Sequence, residues 1–558
     1  MDFKERFTYW KTNRCFDAET RAELDALTDG SEIEDRFRKE LEFGTGGLRG
    51  LMGAGTNRVN KYTVGRAAAG LGQYLKDAHA LGRCKSGGVA IAYDTRCRSR
   101  ALAETAADVL TGMGIKAYVM RDARPTPQLS FTVRHLGCMA GIVLTASHNP
   151  KEYNGCKVYD EHGCQMVPKQ ALAVSERVDA AGGYADIKFA GNDALKEYAD
   201  TTDAFVDAVL SRSMYENGEA KAALRVVYTP LHGAGLVPVC DALRRDGFTS
   251  VSVVPEQERP DGDFPTVESP NPEERGALAL GVALAESQGA DIVIGTDPDG
   301  DRVGVGARAP NGGYGLLTGN QIGALLADYV LGREDISSLQ RPAIVKTVVT
   351  SELGAEIARS RGLRVFDTLT GFKYIGEKIT QFENARGGRS YTFVMGYEES
   401  YGYLVGTHAR DKDAVVSSML ICEMAAEYKA EGKTLFDRLY EIYARYGYYR
   451  DELDSFAISG AGAARDVCRK LRGERPFADA AKLIDYSVPV KAEPGFGMLP
   501  ASDVLKYVLR DGSWAAVRPS GTEPKLKIYY SAKGRDRTEA GRRLEGMRQT
   551  LQRAMSLA

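Results

Sequence analysis

Short, unbroken apolar runs, rather than alternating ones, divide most of the chain into three sets. The first set is Val89–Tyr93, Ala117–Met120 and Gly141–Leu144. The second is Leu224–Tyr228, Val251–Val254 and Asp291–Ile294, and the third is Ala343–Lys346, Leu363–Phe366 and Tyr391–Met395. The runs are rich in β-branched residues and are separated by stretches with helical spacing. Such runs belong to strands buried on both faces, in layered α/β structure. Strand and helix follow in the same order in each set without a fixed period, which predicts three related domains rather than a solenoid.

The flanks read differently. Residues 1–40 scatter Phe3, Phe7, Trp10, Ile33 and Phe37 among charges, the pattern of a helical extension. Near Asp454 the pattern changes again, to that of a smaller α+β unit. The expected fold is therefore α/β: three related mixed-sheet α/β domains and a smaller C-terminal α+β domain around a central cleft. The expected divisions are 1–40 (helical extension), 41–205, 206–312, 313–450 and 451–558.

A length of 558 residues fits several domains, and 43% apolar with 27% charged residues is the composition of a protein with large cores. Lys and Arg number 73 against 75 Asp and Glu, a net charge of −2, and no block is strongly basic. Bulk attraction to nucleic acid or an anionic membrane is therefore not expected. The apolar runs are too short to span a bilayer, and the charged Met1–Arg6 segment is unlike a signal peptide. Nine scattered cysteines, with no C-x-x-C pair, fit free thiols in a reducing compartment. A cytoplasmic location is expected.

The third run of each set leads into a polar loop, and loops at strand C-termini are where open α/β sheets bind ligands. Three such loops predict one composite site in a cleft between domains. In the second, Asp297, Asp299 and Asp301 alternate, so a turning loop can aim three carboxylates at one hard cation such as Mg²⁺. An EF-hand is excluded, because Gly300 stands at position four and Arg308 at position twelve. A solvated acidic turn is the plainer reading; Arg302 beside the triad favours a bound phosphate. In the first loop, Ser147 is followed by His148 and Asn149, either a nucleophile with a neighbouring base or an ordinary turn. It is not the G-x-S-x-G elbow. Lys157 follows as a proton carrier or phosphate contact.

The third loop offers Glu398, Glu399 and Ser400, suited to the hydroxyls of a polyol or, equally, a charged surface segment. His408–Asp413, including Lys412, is either an anion contact or a salt-bridged surface loop. Arg518, Ser520, Gly521 and Thr522 make a phosphate cradle of backbone N–H groups, hydroxyls and a guanidinium. Gly44–Gly50, with Arg49, reads as a glycine-rich loop without a Walker A lysine.

Taken in order, T-A-S-H-N-P (145–150), D-P-D-G-D-R (297–302), G-Y-E-E-S-Y-G (396–402) and R-P-S-G-T-E-P (518–524) resemble the α-D-phosphohexomutase family over about residues 40–530. T-P-L-H-G-A-G (229–235), L-T-G-F-K (369–373) and H-A-R-D-K-D (408–413) are most similar to the branch containing phosphoglucomutases and phosphopentomutases. The resemblance implies a four-domain, heart-shaped enzyme with its site in the central cleft. Ser147 matches the family's phosphoserine, and Asp297, Asp299 and Asp301, with that phosphoserine, match its Mg²⁺ ligands. Arg49 and Arg302 would steady the phosphoserine, while His148 and Lys157 would manage protons. Thr370, Gly371, Phe372 and Lys373 match the loop facing the sugar, Glu398 and Ser400 hold its hydroxyls, and Lys412 lies near a phosphate. Arg518, Ser520, Gly521 and Thr522 grip the phosphate that does not react.

The implied activity interconverts a sugar 1-phosphate and a sugar 6-phosphate, glucose first among them, through a sugar 1,6-bisphosphate. Phosphopentomutase, phosphomannomutase and sugar-1,6-bisphosphate synthase are the alternatives. Departures from the family's usual patterns, Phe372 in place of tryptophan and the glycine-rich 44–50 segment, bear on substrate choice rather than transfer chemistry. A non-catalytic sugar-phosphate binder would have lost the serine or the triad, and both are intact.

Overall fold

The computed structural model describes residues 1–44, 46–82, 87–385, 390–458, 463–491, 498–519 and 525–556. The chain forms two compact units. One comprises residues 1–308, 313–317 and 402–429, and the other 309–312, 318–401 and 430–558.

The first unit opens with three short helices, Phe3–Thr12, Ala18–Asp25 and Gly30–Phe37, whose first-turn N–H groups donate to the side chains of Asp2, Asp17 and Asp29. Their apolar positions form an aromatic cluster, as the spacing predicts: Trp10 stacks on Phe16 at 4.2 Å and meets Phe37, Tyr62 and Tyr184 edge-on. The first sheet contains β1 (Gly47–Leu51), β2 (Val89–Tyr93), β3 (Ala117–Met120), β4 (Ala140–Leu144), β5 (Tyr153–Tyr159) and β6 (Lys196–Ala199), in the order β1-β5-β4-β2-β3-β6. Strands β4, β2, β3 and β6 run parallel; at one side β5 pairs antiparallel with β4, and β1 pairs antiparallel with β5. Every residue of β2 and β4 is buried, which explains their unbroken apolar runs.

Gly47–Gly50 is not part of a loop, as expected from its glycines, but of edge strand β1. A Cβ on Gly47 would lie 1.9 Å from the Cys156 carbonyl oxygen, so glycine lets β1 close onto β5.

The second sheet repeats the plan with β7 (Val226–Thr229), β8 (Val251–Val253), β9 (Ile292–Thr296), β10 (Val303–Arg308) and β11 (Tyr314–Leu317), ordered β11-β10-β9-β7-β8. Again the third strand of the set, β9, is followed by an antiparallel return, β10. In both sheets the chain leaves the first strand in one direction and returns on its other side. The C-terminal ends of β2 and β4, and of β7 and β9, therefore flank a topological switch point, the usual ligand position in open α/β sheets.

The second unit contains β12 (Pro342–Thr347), β13 (Arg364–Thr368) and β14 (Thr392–Glu398), with β12 central and all three parallel. The chain then passes through β15 (Gly402–Val405) and the helix Ala414–Ala430, and most of this stretch belongs to the first unit. The C-terminal part of the second unit is an antiparallel sheet, β16 (Tyr448–Ala457), β17 (Ala480–Asp485), β20 (Leu505–Leu509), β21 (Trp514–Pro519) and β22 (Lys525–Gly534), ordered β16-β22-β21-β20-β17. A small ribbon of β18 (Val490–Lys491) and β19 (Met498–Leu499) lies between β17 and β20 in the chain. Helices Ala463–Glu474 and Arg537–Ser556 contribute to the core on one face of that sheet, and Val348, Val349 and Leu369 pack with Trp514 and Tyr529. All nine apolar runs are strands, displaced by at most a few residues at their ends.

Candidate active site

The loop after β4 and the hairpin between β9 and β10 meet in the first unit. Ser147 Oγ donates to Asp297 Oδ2 at 2.7 Å across 150 residues of chain. Asp297 Oδ1 accepts the N–H groups of Asp301 and Arg302, both at 3.0 Å, so the hairpin wraps around its own first carboxylate. Gly300 makes that turn: its φ is +58°, and a Cβ there would come within 2.8 Å of Pro125 Cβ. The three aspartates are 0, 0 and 1% exposed, so a solvated acidic turn is excluded. One carboxylate oxygen from each lies within 4.8 Å of the others. Asp299 Oδ1 and Asp301 Oδ1 are buried and accept no hydrogen bond among the described residues. Hard oxygen donors left open on one side suit a divalent cation.

Cations surround the carboxylates. Lys157, on β5, places Nζ 2.8 Å from Asp299 Oδ2 and 3.5 Å from Asp301 Oδ2. Lys412 Nζ lies 3.1 Å from Asp301 Oδ2 and 3.0 Å from Asp411 Oδ1. Its segment is not a surface loop: Arg410, Asp411 and Asp413 are buried, and Tyr159 donates to Asp411 at 2.7 Å. Arg302 pairs with Glu273 and reaches Asp301 at 3.8 Å. Thr126 donates its hydroxyl to Asp299 at 3.0 Å.

Burial, then the charges of Asp299 and Asp301, pushes the Asp297 carboxyl well above its ordinary range. Burial works the same way on Asp299, but Lys157 outweighs it and holds that group low. Burial alone would lower Lys157, yet Asp299 and Asp301 raise it. The His148 ring, with Nδ1 3.3 Å from Ser147 Oγ, is driven well below its usual value by burial and then by Arg302 and Arg49. It is uncharged beside the serine. Arg49 lies on β1 and donates to Asn149 Oδ1 at 3.3 Å.

A second cluster lies within the second unit. Glu398, at the end of β14, is 5% exposed and accepts the Gly371 N–H at 2.8 Å. Thr370 Oγ1 is buried and has no hydrogen-bond partner among the described residues. Phe372 opens the helix Phe372–Asn384 and is 3% exposed, while Lys373 and Ser400 are half-buried. Glu399, its neighbour in the same loop, accepts from Thr347 at 3.2 Å and Thr350 at 3.1 Å. Burial and the adjacent Glu398 charge push it up to about 7. Arg518 lies on β21; Ser520, Gly521 and Thr522 lie outside the described residues.

A further group at the serine escaped the sequence reading. Asp94-Thr95-Arg96 follows β2, the neighbour of β4, and Arg96 donates to the Ser147 carbonyl at 2.6 Å. The signal was present: β2, like β4, ends in a polar loop at its C-terminal edge.

These elements, a serine beside three buried carboxylates ringed by cations at a switch point, define an α/β protein with a site for a divalent cation and an anionic ligand. The family models for Phosphoglucomutase/phosphomannomutase match in order: alpha/beta/alpha domain I over residues 40–185, domain II over 203–312, domain III over 318–446 and the C-terminal domain over 474–544. A phosphoglucomutase of Staphylococcus haemolyticus is 37% identical over 514 residues, covering 89% of this chain and 91% of that protein. One of Staphylococcus aureus is 34% identical over 536 residues, covering 93% and 94%. In fold, the chain is similar to the crystal structure of pp63/parafusin, a Paramecium phosphoglucomutase in its open form, with a TM-score of 0.72, 16% identity and coverage of 93% and 95%. The chain belongs to the phosphoglucomutase/phosphomannomutase family. Among the described residues no helix is long and apolar enough to cross a membrane.

Proposed function

We propose that this phosphosugar mutase interconverts α-D-glucose 1-phosphate and glucose 6-phosphate, with Ser147 as the phosphoryl carrier. The observation that carries the reading is Ser147 Oγ at 2.7 Å from the first of three buried, clustered aspartates with lysines at their rim. Asp297, Asp299 and Asp301, together with the phosphorylated Ser147, would hold Mg²⁺. The cation, when bound, neutralises charge on the phosphoryl oxygens during transfer.

The chain's own groups do the rest. Lys157, Arg302 and Arg49 offset the charge of phosphoserine, about −1.5 to −2 near neutral pH, against an incoming sugar phosphate. The acceptor hydroxyl attacks phosphorus and the bond to Ser147 Oγ breaks. The neutral His148 takes the hydroxyl proton, and Lys157, held protonated by Asp299 and Asp301, acts as the proton donor to the leaving Oγ. The resulting glucose 1,6-bisphosphate reorients and returns its other phosphoryl group to Ser147. Gly371 and Glu398, joined by a hydrogen bond, form with Thr370, Phe372, Lys373 and Ser400 a sugar-binding set, and Lys412 contacts a phosphate. Arg518, Ser520, Gly521 and Thr522 hold the idle phosphate. Residues 41–205, 206–312, 313–450 and 451–558 form the four domains of this scheme, with the helices of 1–40 as an extension, and its setting is the cytoplasm.

The test is a coupled assay with Mg²⁺ and a trace of glucose 1,6-bisphosphate, comparing glucose, mannose and ribose 1-phosphates. A glucose rate well above the others is expected. A higher mannose or ribose rate keeps the chemistry and overturns the substrate; accumulation of bisphosphate from an external donor overturns the mutase cycle.

A further inference from the structure

Ser147 sits in an uncommon backbone conformation, with φ at +52°, in the left-handed region that side chains with a Cβ disfavour. Loop sequence does not account for it, since no glycine adjoins it. Two neighbours hold it. The Ser147 N–H donates to Thr145 Oγ1 at 2.8 Å. On the other side, one guanidinium gathers four carbonyl oxygens of the same segment. Arg96 Nη2 donates to Ser147 at 2.6 Å and also to Asn149, and Nη1 donates to Pro150 at 2.8 Å and Tyr153 at 3.2 Å.

Arg96 is itself fixed. Its side chain is 0% exposed, Asp94 pairs with Nε at 3.3 Å, and the guanidinium lies 5.0 Å from the Phe264 ring centre. Asp94 is held in turn, accepting the Arg96 N–H at 3.0 Å and the Ser99 hydroxyl at 2.6 Å. The pairing of β2 with β4, Tyr93 opposite Leu144, brings this loop beside the serine loop.

We infer that Arg96, with Thr145, is a positioning residue for phosphoryl transfer: it locks the Ser147 turn so that Oγ faces Asp297. This rests on the reading of Ser147 as phosphoryl carrier. A side chain held within a few tenths of an ångström keeps the reacting atoms near attack geometry, and a small misplacement costs rate more than affinity. A lysine at 96 keeps the charge but has no planar fork to hold carbonyls at several points.

The experiment uses the full-length protein and the variant Arg96→Lys. Each is phosphorylated with glucose 1,6-bisphosphate, and the stoichiometry at Ser147 is read by peptide mass. Single-turnover transfer to glucose 1-phosphate is then timed, and glucose 1-phosphate affinity is measured at equilibrium. The expected result is a transfer rate per phosphorylated molecule at least about 30-fold lower, with affinity changed less than about 3-fold. A merely structural role would reduce the phosphorylatable fraction and leave the rate per phosphorylated molecule intact. A rate within about 3-fold of the parent overturns the proposal. If R96K lacks the parent's far-UV spectrum, Thr145→Val, which removes the acceptor of the Ser147 N–H and a hydrogen bond to Asp94 and leaves Arg96 in place, is read by the same two outcomes. If the unaltered protein takes no phosphoryl group at Ser147, the functional reading fails and not the positioning alone.

Discussion

Replacing Lys157 by methionine removes a cation from the buried carboxylate cluster while preserving most of the side chain's volume. Lys157 Nζ lies 2.8 Å from Asp299 Oδ2, and both partners are largely withdrawn from water at 14% and 0% exposure. Breaking one partner out of a buried pair costs about 3–5 kcal/mol, because the remaining charge is left uncompensated. Lys412, 3.1 Å from Asp301, still serves the neighbouring carboxylate. The lower end, about 3 kcal/mol, is therefore the expected loss in metal-free protein. At about 2 °C per kcal/mol, the large-domain end of the scale, the first melting transition falls by about 6 °C in EDTA. A divalent cation on the three carboxylates supplies the missing charge. Added Mg²⁺ should raise the melting temperature of K157M more than that of the parent, because the variant binds the cation more tightly; either protein gains about 2.7 kcal/mol at a hundredfold excess over its own Kd. Differential scanning calorimetry in EDTA and in Mg²⁺ reads all four values. A variant that melts within about 1 °C of the parent in EDTA, or gains no more from Mg²⁺, refutes the charge balance argued for this centre.

Trp10→Ala empties the middle of the N-terminal aromatic cluster and should cost about 3–5 kcal/mol, read as an earlier urea transition of the first unit; a loss below about 1 kcal/mol would show that the cluster is not a core. Gly300→Val forces a branched side chain to a φ of +58° and against Pro125, so turnover should fall at least tenfold, and a fully active variant would show the turn to be adaptable. Asp451, opposite Ser531 on β22, is pushed up to about 6 by burial. Its protonated form suits the fold, so its stabilising contribution is complete below the ordinary value near 3.8 and is lost as pH rises through about 6. Asp451→Asn should therefore gain stability over the parent between pH 4 and 7.5, by up to about 3 kcal/mol; a gap that does not change with pH contradicts this.

Much of the architecture was legible because strands buried on both faces must be apolar throughout. All nine runs stand as β2–β4, β7–β9 and β12–β14. The aspartate triad was legible too, since its three members are close in the chain. What escaped depends on strand order. Lys157 was named from the sequence, but its pairing with the triad was not, since it arises because β5 folds back beside β4; Arg96 reaches Ser147 because β2 is the neighbour of β4. Neither adjacency is written in local spacing. Gly47–Gly50 misled for a related reason: glycines that permit close strand approach look, in one dimension, like glycines of a loop. The His408–Asp413 charges, alternating as on a surface, are buried by pairing with Tyr159, Asp301 and one another.

The central claim is that Ser147 carries the phosphoryl group. Incubation with glucose 1,6-bisphosphate labelled in its phosphoryl groups, followed by peptide mapping, tests it directly. The account predicts label on Ser147, discharged by unlabelled glucose 1-phosphate as fast as the enzyme turns over, and no label or turnover in Ser147→Ala. Turnover that persists in that variant, or label that stays on Ser147 while substrate is converted, would contradict it.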